Sequence, residues 1–139
     1  MENRTVFDTN IWISYFLSEN FDELIRLRRE GNVFFLRSIP SLSELKNVVT
    51  RKKFKSKNFN VEKLIDFYNG ITEFCETKPL FKNCSDPNDN FLFDLAIQGK
   101  ANYLISGDKK VLETTFENET LQLATLTAFK NNYQYLLFN

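Results

Sequence analysis

Histidine is absent from all 139 residues, and this absence removes a whole range of chemistry. There can be no Ser-His-Asp or Cys-His nucleophile, no imidazole general base, and no typical zinc site. Cysteine is nearly absent too. Cys75 and Cys84 do not form a CxxC pair, so neither a disulfide framework nor a thiolate metal cage is expected, and two reduced thiols fit a cytoplasmic protein. There is no excess of either charge: eighteen Lys and Arg balance eighteen Asp and Glu. Attraction to a polyanion must therefore come from a local patch and not from the overall field. No apolar run approaches the roughly 20 residues that span a bilayer, and Met1-Glu2-Asn3-Arg4 lacks a signal-peptide pattern, so a cytoplasmic chain with no membrane partner is expected.

What is present favours an ordered fold. Apolar residues make up 42% of the chain, with fifteen Phe among them, a composition unlike that of disordered segments. The length suits one domain over residues 1–139, large enough to bury roughly two-thirds of the surface its unfolded chain exposes. No internal repeat, low-complexity segment or linker divides it.

Along the chain, β-prone and helical patterns alternate. Thr5-Val6-Phe7 reads as a strand that turns at Asp8-Thr9-Asn10 into a helix carrying Ile11, Trp12, Ile13, Tyr15 and Phe16. A second helix is expected from Phe21 to Glu30 with Gly31 at its end, then a strand at Val33 to Leu36. Pro40 to Glu44 opens a third helix. Val61, Leu64, Ile65, Tyr68, Ile71 and Cys75 mark one amphipathic helix reaching Cys75. Further helices are expected at Asp89 to Gln98, Lys109 to Phe116 and Leu126 to Tyr133, with strands at Tyr103 to Ile105 and Leu121 to Ala124. This alternation predicts a three-layer α/β/α sandwich around a mostly parallel sheet, with its ligand site at the carboxyl ends of the strands.

Acidic residues punctuate that edge. Asp8 follows the first strand, Asp86-Pro87-Asn88-Asp89 precedes a helix, and Asp108 follows Ser106-Gly107. Each has an ordinary explanation as a helix cap or turn residue, and Ser41-Leu42-Ser43-Glu44 fits a capping box. Caps do not account for so much charge in one place. Two carboxylates about 5 Å apart repel by roughly 3 kcal/mol at an effective dielectric near 20, so converging acids take up protons or require cations. Oxygen ligands without His or Cys suit Mg²⁺ or Mn²⁺, which lower the pKa of water and neutralise phosphate charge.

Val6-Phe7-Asp8-Thr9-Asn10, Ser43-Glu44-Leu45 through Arg51-Lys52-Lys53, Asp86-Pro87-Asn88-Asp89-Asn90 through Ala96, and Tyr103 through Asp108 together resemble, in order and spacing, the PIN-domain nucleases. The likeness runs from about Arg4 to Phe129 and lies nearest the bacterial toxins of toxin-antitoxin systems, related to VapC-like ribonucleases. It implies a Rossmann-like sandwich, Mg²⁺- or Mn²⁺-dependent cleavage of RNA, and a cognate antitoxin or a second copy as partner. Carried over by position, Asp8, Glu44, Asp89 and Asp108 match the acidic quartet, with Thr9, Asn10, Asp86 and Ser106 as supporting residues. This branch often carries Pro where Leu126 stands.

Other features stay open at this level. The basic run Arg51, Lys52, Lys53, Lys55 and Lys57 can hold an RNA backbone or be a solvated loop. Trp12 is expected in the core and not as a base-stacking platform. The tail from Tyr133 to Phe138 is expected to pack on the domain. The rival function is an inactive PIN-like RNA-binding or protein-interaction module. A receiver-like phosphoryl site lacks the acid pair beside Asp8, and an Asp-x-Asp phosphatase motif fails at Asn10.

Overall fold

The protein, a computed structural model described over residues 2–51 and 60–137, is built on five short parallel strands. These are β1 (Asn3–Phe7), β2 (Val33–Arg37), β3 (Thr72–Phe74), β4 (Tyr103–Ile105) and β5 (Gln122–Ala124), in the spatial order β3-β2-β1-β4-β5. Every neighbouring pair is parallel. Side chains alternate strictly across the sheet. Phe7, Phe35 and Ile105 enter one core, while Val6, Leu36 and Leu104 enter the other. Both faces are thus buried, which explains the continuous apolar runs and agrees with the expected sandwich.

Helices cover both faces. On one side lie α1 (Thr9–Ser18), α2 (Phe21–Arg29), α3 (Ile39–Val49) and α4 (Val61–Ile71), and α5 (Asn90–Gln98) lies on the other. The short α6 (Lys109–Leu112), α7 (Leu126–Lys130) and α8 (Gln134–Leu137) complete the described chain. Trp12, only 2% exposed, is a core residue as expected. Phe7 is its neighbour, packed against Trp12, Tyr15, Phe35 and Phe129 at ring-centroid distances of 5.4, 6.1, 4.9 and 5.8 Å. Tyr133 is buried and Leu136 and Leu137 pack against the same core, so this part of the tail does fold back, with Tyr135 exposed.

Three expectations require correction. The amphipathic helix does not reach Cys75: it ends at Ile71, and Thr72–Phe74 becomes the edge strand β3, paired with Phe35–Arg37. The capping box does not involve Glu44. Helix α3 starts earlier, with Ser38 as its cap; the Ser41 amide donates to Ser38 Oγ at 3.2 Å and the Ser38 amide to Ser41 Oγ at 2.8 Å. The segment after Asp108 is helical only to Leu112. The basic residues Lys52, Lys53, Lys55 and Lys57, and Phe138, lie outside the described residues.

Candidate active site

Strand β1 is the switch point of the sheet, since chain order runs outward through β2 on one side and jumps to β4 on the other. Ligands of such sheets bind beyond the carboxyl ends of the strands at this crevice. Asp8 stands at the end of β1 and Ser106 at the end of β4, aligned because Phe7 is in register with Ile105 and the Asp8 amide donates to the Ile105 carbonyl at 2.9 Å.

Asp8 is 7% exposed yet makes no side-chain capping bond to α1. Its carboxylate instead accepts a 2.6 Å hydrogen bond from Ser106 Oγ, which in turn accepts one from the Asp108 amide at 3.0 Å. A buried serine therefore connects the two acids that close the ends of adjacent strands. Burial pushes the Asp8 carboxyl above its ordinary range; the Ser106 bond and the adjacent Thr9 and Asn10 amides oppose this, and the Asp108 charge reinforces it. Thr9 is buried beside Asp8 and Asn10 exposed.

Asp89 ends the short 3₁₀ turn Pro87–Asp89 that leads into α5. Burial first, and then the charges of Asp8, Asp86, Asp108 and Glu44 in that order, together push its carboxyl up to about 6. These four acids come from four separate parts of the chain and all bear on one carboxylate. Glu44 is half-buried on the second turn of α3, and the Ser38–Ser41 cap leaves its side chain uncommitted to the helix start.

Two acids also serve local structure. Asp86 Oδ1 accepts from the Asn88 amide at 3.0 Å, and Asp108 Oδ1 accepts from the Lys110 amide at 2.9 Å as the cap of α6. Among the described residues, no three acidic or thiol side chains lie close enough together to hold one ion by themselves. The acids share a field without forming a closed cage. Arg51 is exposed at the end of α3 and has no ion pair with them among the described residues.

Two neighbours of the site carry no sequence signal. Cys84 is buried with its Sγ 3.4 Å from the Thr114 hydroxyl; burial first, then the charges of Asp89, Asp86 and Asp108, push its thiol up, against the Thr114 bond. Asp94 is a buried structural acid that accepts from the Leu80 and Phe81 amides at 3.0 and 2.8 Å and pins that loop to α5.

A doubly wound α/β domain with carboxylates gathered at its switch point is the class these features define. The model of the PIN domain family matches residues 4–110, and the chain belongs to that family, whose members are generally nucleases that use divalent metal ions. No curated protein matches the chain significantly. Among solved structures, VapBC2 from Rickettsia felis, crystallised with a DNA fragment from its promoter, shares the fold with a TM-score of 0.58 at 18% identity, covering 88% of this chain and 98% of that one. PAE2754 from Pyrobaculum aerophilum gives a TM-score of 0.64 at 11% identity, covering 96% and 90%.

Proposed function

We propose that this chain is a metal-dependent ribonuclease that hydrolyses RNA phosphodiester bonds, with Asp8, Glu44, Asp89 and Asp108 as its acids and Mg²⁺ or Mn²⁺ as its cofactor. The observation that carries the reading is the crowding of negative charge on Asp89, which local capping does not require. The donor set fits the ion: every candidate ligand is a hard oxygen, and Mg²⁺ is usually held by one or two carboxylates together with water and substrate phosphate, so a looser array than a closed cage suits it.

When bound, the ion neutralises phosphate charge and makes water a stronger acid. The chain's own residues orient this chemistry. Ser106 fixes one oxygen of Asp8 and so sets the carboxylate's direction. Asp108 caps α6 through Oδ1, which leaves Oδ2 outside that bond. Asp89 comes from the start of α5 and Glu44 from α3. Thr9 and Asn10 line the turn beside Asp8, and Asp86 holds the turn that presents Asp89.

The VapBC2 neighbour supports a finer reading: a cytoplasmic toxin of a bacterial type II toxin-antitoxin system, with an antitoxin protein as partner. No helix among the described residues is long and apolar enough to cross a membrane. The second reading, an inactive PIN-like module, draws on the cap made by Asp108 and on the open spacing of the acids. Cleavage of RNA by purified protein with Mn²⁺, abolished by EDTA and by Asp8→Asn, supports the nuclease; equal cleavage by Asp8→Asn contradicts it.

A further inference from the structure

A cavity of about 460 Å³ lies along the seam between the start of α3, the loop through residues 77–82 and the start of α5. Its walls include Pro40, Phe81, Lys82, Asn88, Asn90 and Phe91. The residues on either side of Asp89 therefore line it. Pro40 precedes Glu44 by four residues, so both occupy one face of α3, a turn apart. The cavity adjoins the two elements that bring Asp89 and Glu44 to the site, α5 from one face of the sheet and α3 from the other.

We infer that this cavity is a nucleobase subsite, seating the base of a nucleotide next to the scissile phosphate. The inference rests on the nuclease reading. The chemistry of the walls matches a base better than a sugar or a peptide side chain. Phe91 is half-buried and offers a flat apolar surface for stacking, and Phe81, which lines the same cavity, is stacked on Phe93 with 4.5 Å between ring centroids. Asn88 is exposed at the rim; its backbone amide is used by Asp86 while its side-chain amide makes no hydrogen bond among the described residues, leaving one donor and one acceptor group for a base edge. Lys82 is an exposed residue of the same wall and supplies the positive charge that a flanking phosphate needs. The loop bearing Phe81 is held by Asp94, so the pocket is formed in advance of the ligand.

The test uses the four nucleoside 5′-monophosphates, with ribose 5-phosphate as the base-free probe, binding to the full chain in the presence of Mn²⁺, followed by cleavage of short single-stranded RNAs that differ at one base. The subsite predicts that at least one nucleotide binds about tenfold or more tightly than ribose 5-phosphate. Phe91→Leu, which keeps an apolar body, should remove most of this advantage. Asn88→Ala, a change at an exposed turn, should reduce discrimination among the bases while leaving ribose 5-phosphate binding unchanged. Base preference and affinity unaltered in both variants would overturn the inference. Because the binding arm requires no turnover, base-selective binding without cleavage supports the subsite and counts against the nuclease, whereas cleavage with unchanged selectivity in both variants counts against the subsite alone.

Discussion

At the scale of single residues, Asp8 and Ser106 form the centre of the proposed site. Their bond joins the ends of adjacent strands at the switch point, and sequence gave no distance between residues 98 positions apart. Ser106→Ala leaves Asp8 buried without its donor, and a lost orienting partner of this kind lowers metal affinity or activity by roughly 10–100-fold; metal titration of the cleavage rate reads this directly. Asp89 makes a separate prediction about pH. Its carboxyl is raised to about 6 in the folded chain from the ordinary 3.8, so the folded state holds the proton more tightly than the unfolded one. In ion-free protein the stability is therefore full below pH 4 and falls as pH rises through 6. After allowance for solvent screening the loss is about 1 kcal/mol. Denaturant unfolding at pH 4 and pH 7 checks it: Asp89→Asn should unfold later than wild type at pH 7 and lose that advantage at pH 4.

At the scale of elements, most of the architecture was legible because both period signals were strong. Val33-Phe34-Phe35-Leu36 is a run covered on both faces, and the sheet supplies both cores. The failures have local causes. Ile71 and Cys75 continue the helical spacing of α4 straight through β3, a strand of three residues with two of them exposed, so no periodicity marked the change. Ser41 and Glu44 matched a capping box, but Ser38 at the end of β2 is where the chain enters the helix. Leu126, where the branch often has Pro, still begins a helix because Thr125 Oγ1 accepts from the Ala128 amide at 3.2 Å. Gly99 shows how tightly α5 closes on the sheet: an added Cβ would lie 2.6 Å from the Leu95 carbonyl oxygen and 2.9 Å from Leu36 Cδ1. Gly99→Ala is expected to cost about 1–3 kcal/mol, seen as a lower melting temperature. Asp94→Ala should cost a similar amount, roughly 1–3 kcal/mol, because two loop amides lose their acceptor.

At the scale of the whole molecule, charge is balanced overall and concentrated locally. The candidate acids gather where the sheet reverses direction, while net charge remains zero. Sequence order made the quartet recognisable and set Asp86 apart as a supporting residue; the three-dimensional arrangement adds that the Asp8 carboxylate is held by Ser106 across the sheet while Asp86 holds its own turn. If Lys52, Lys53 and Lys55 contact RNA, neutralising all three should flatten the salt dependence of binding; an unchanged slope assigns them to solvent. A divalent ion that binds only the folded chain should raise its stability by about 2.7 kcal/mol at 100 times the dissociation constant. The most direct test of the central claim is therefore cleavage of single-stranded RNA by wild type, Asp8→Asn and Asp89→Asn, each with Mn²⁺ and with EDTA, alongside their melting temperatures. The expected result is cutting by wild type with Mn²⁺ alone, together with an Mn²⁺-induced rise in melting temperature that both variants lose; cutting that survives EDTA, or variants that cut and gain stability as wild type does, would contradict it.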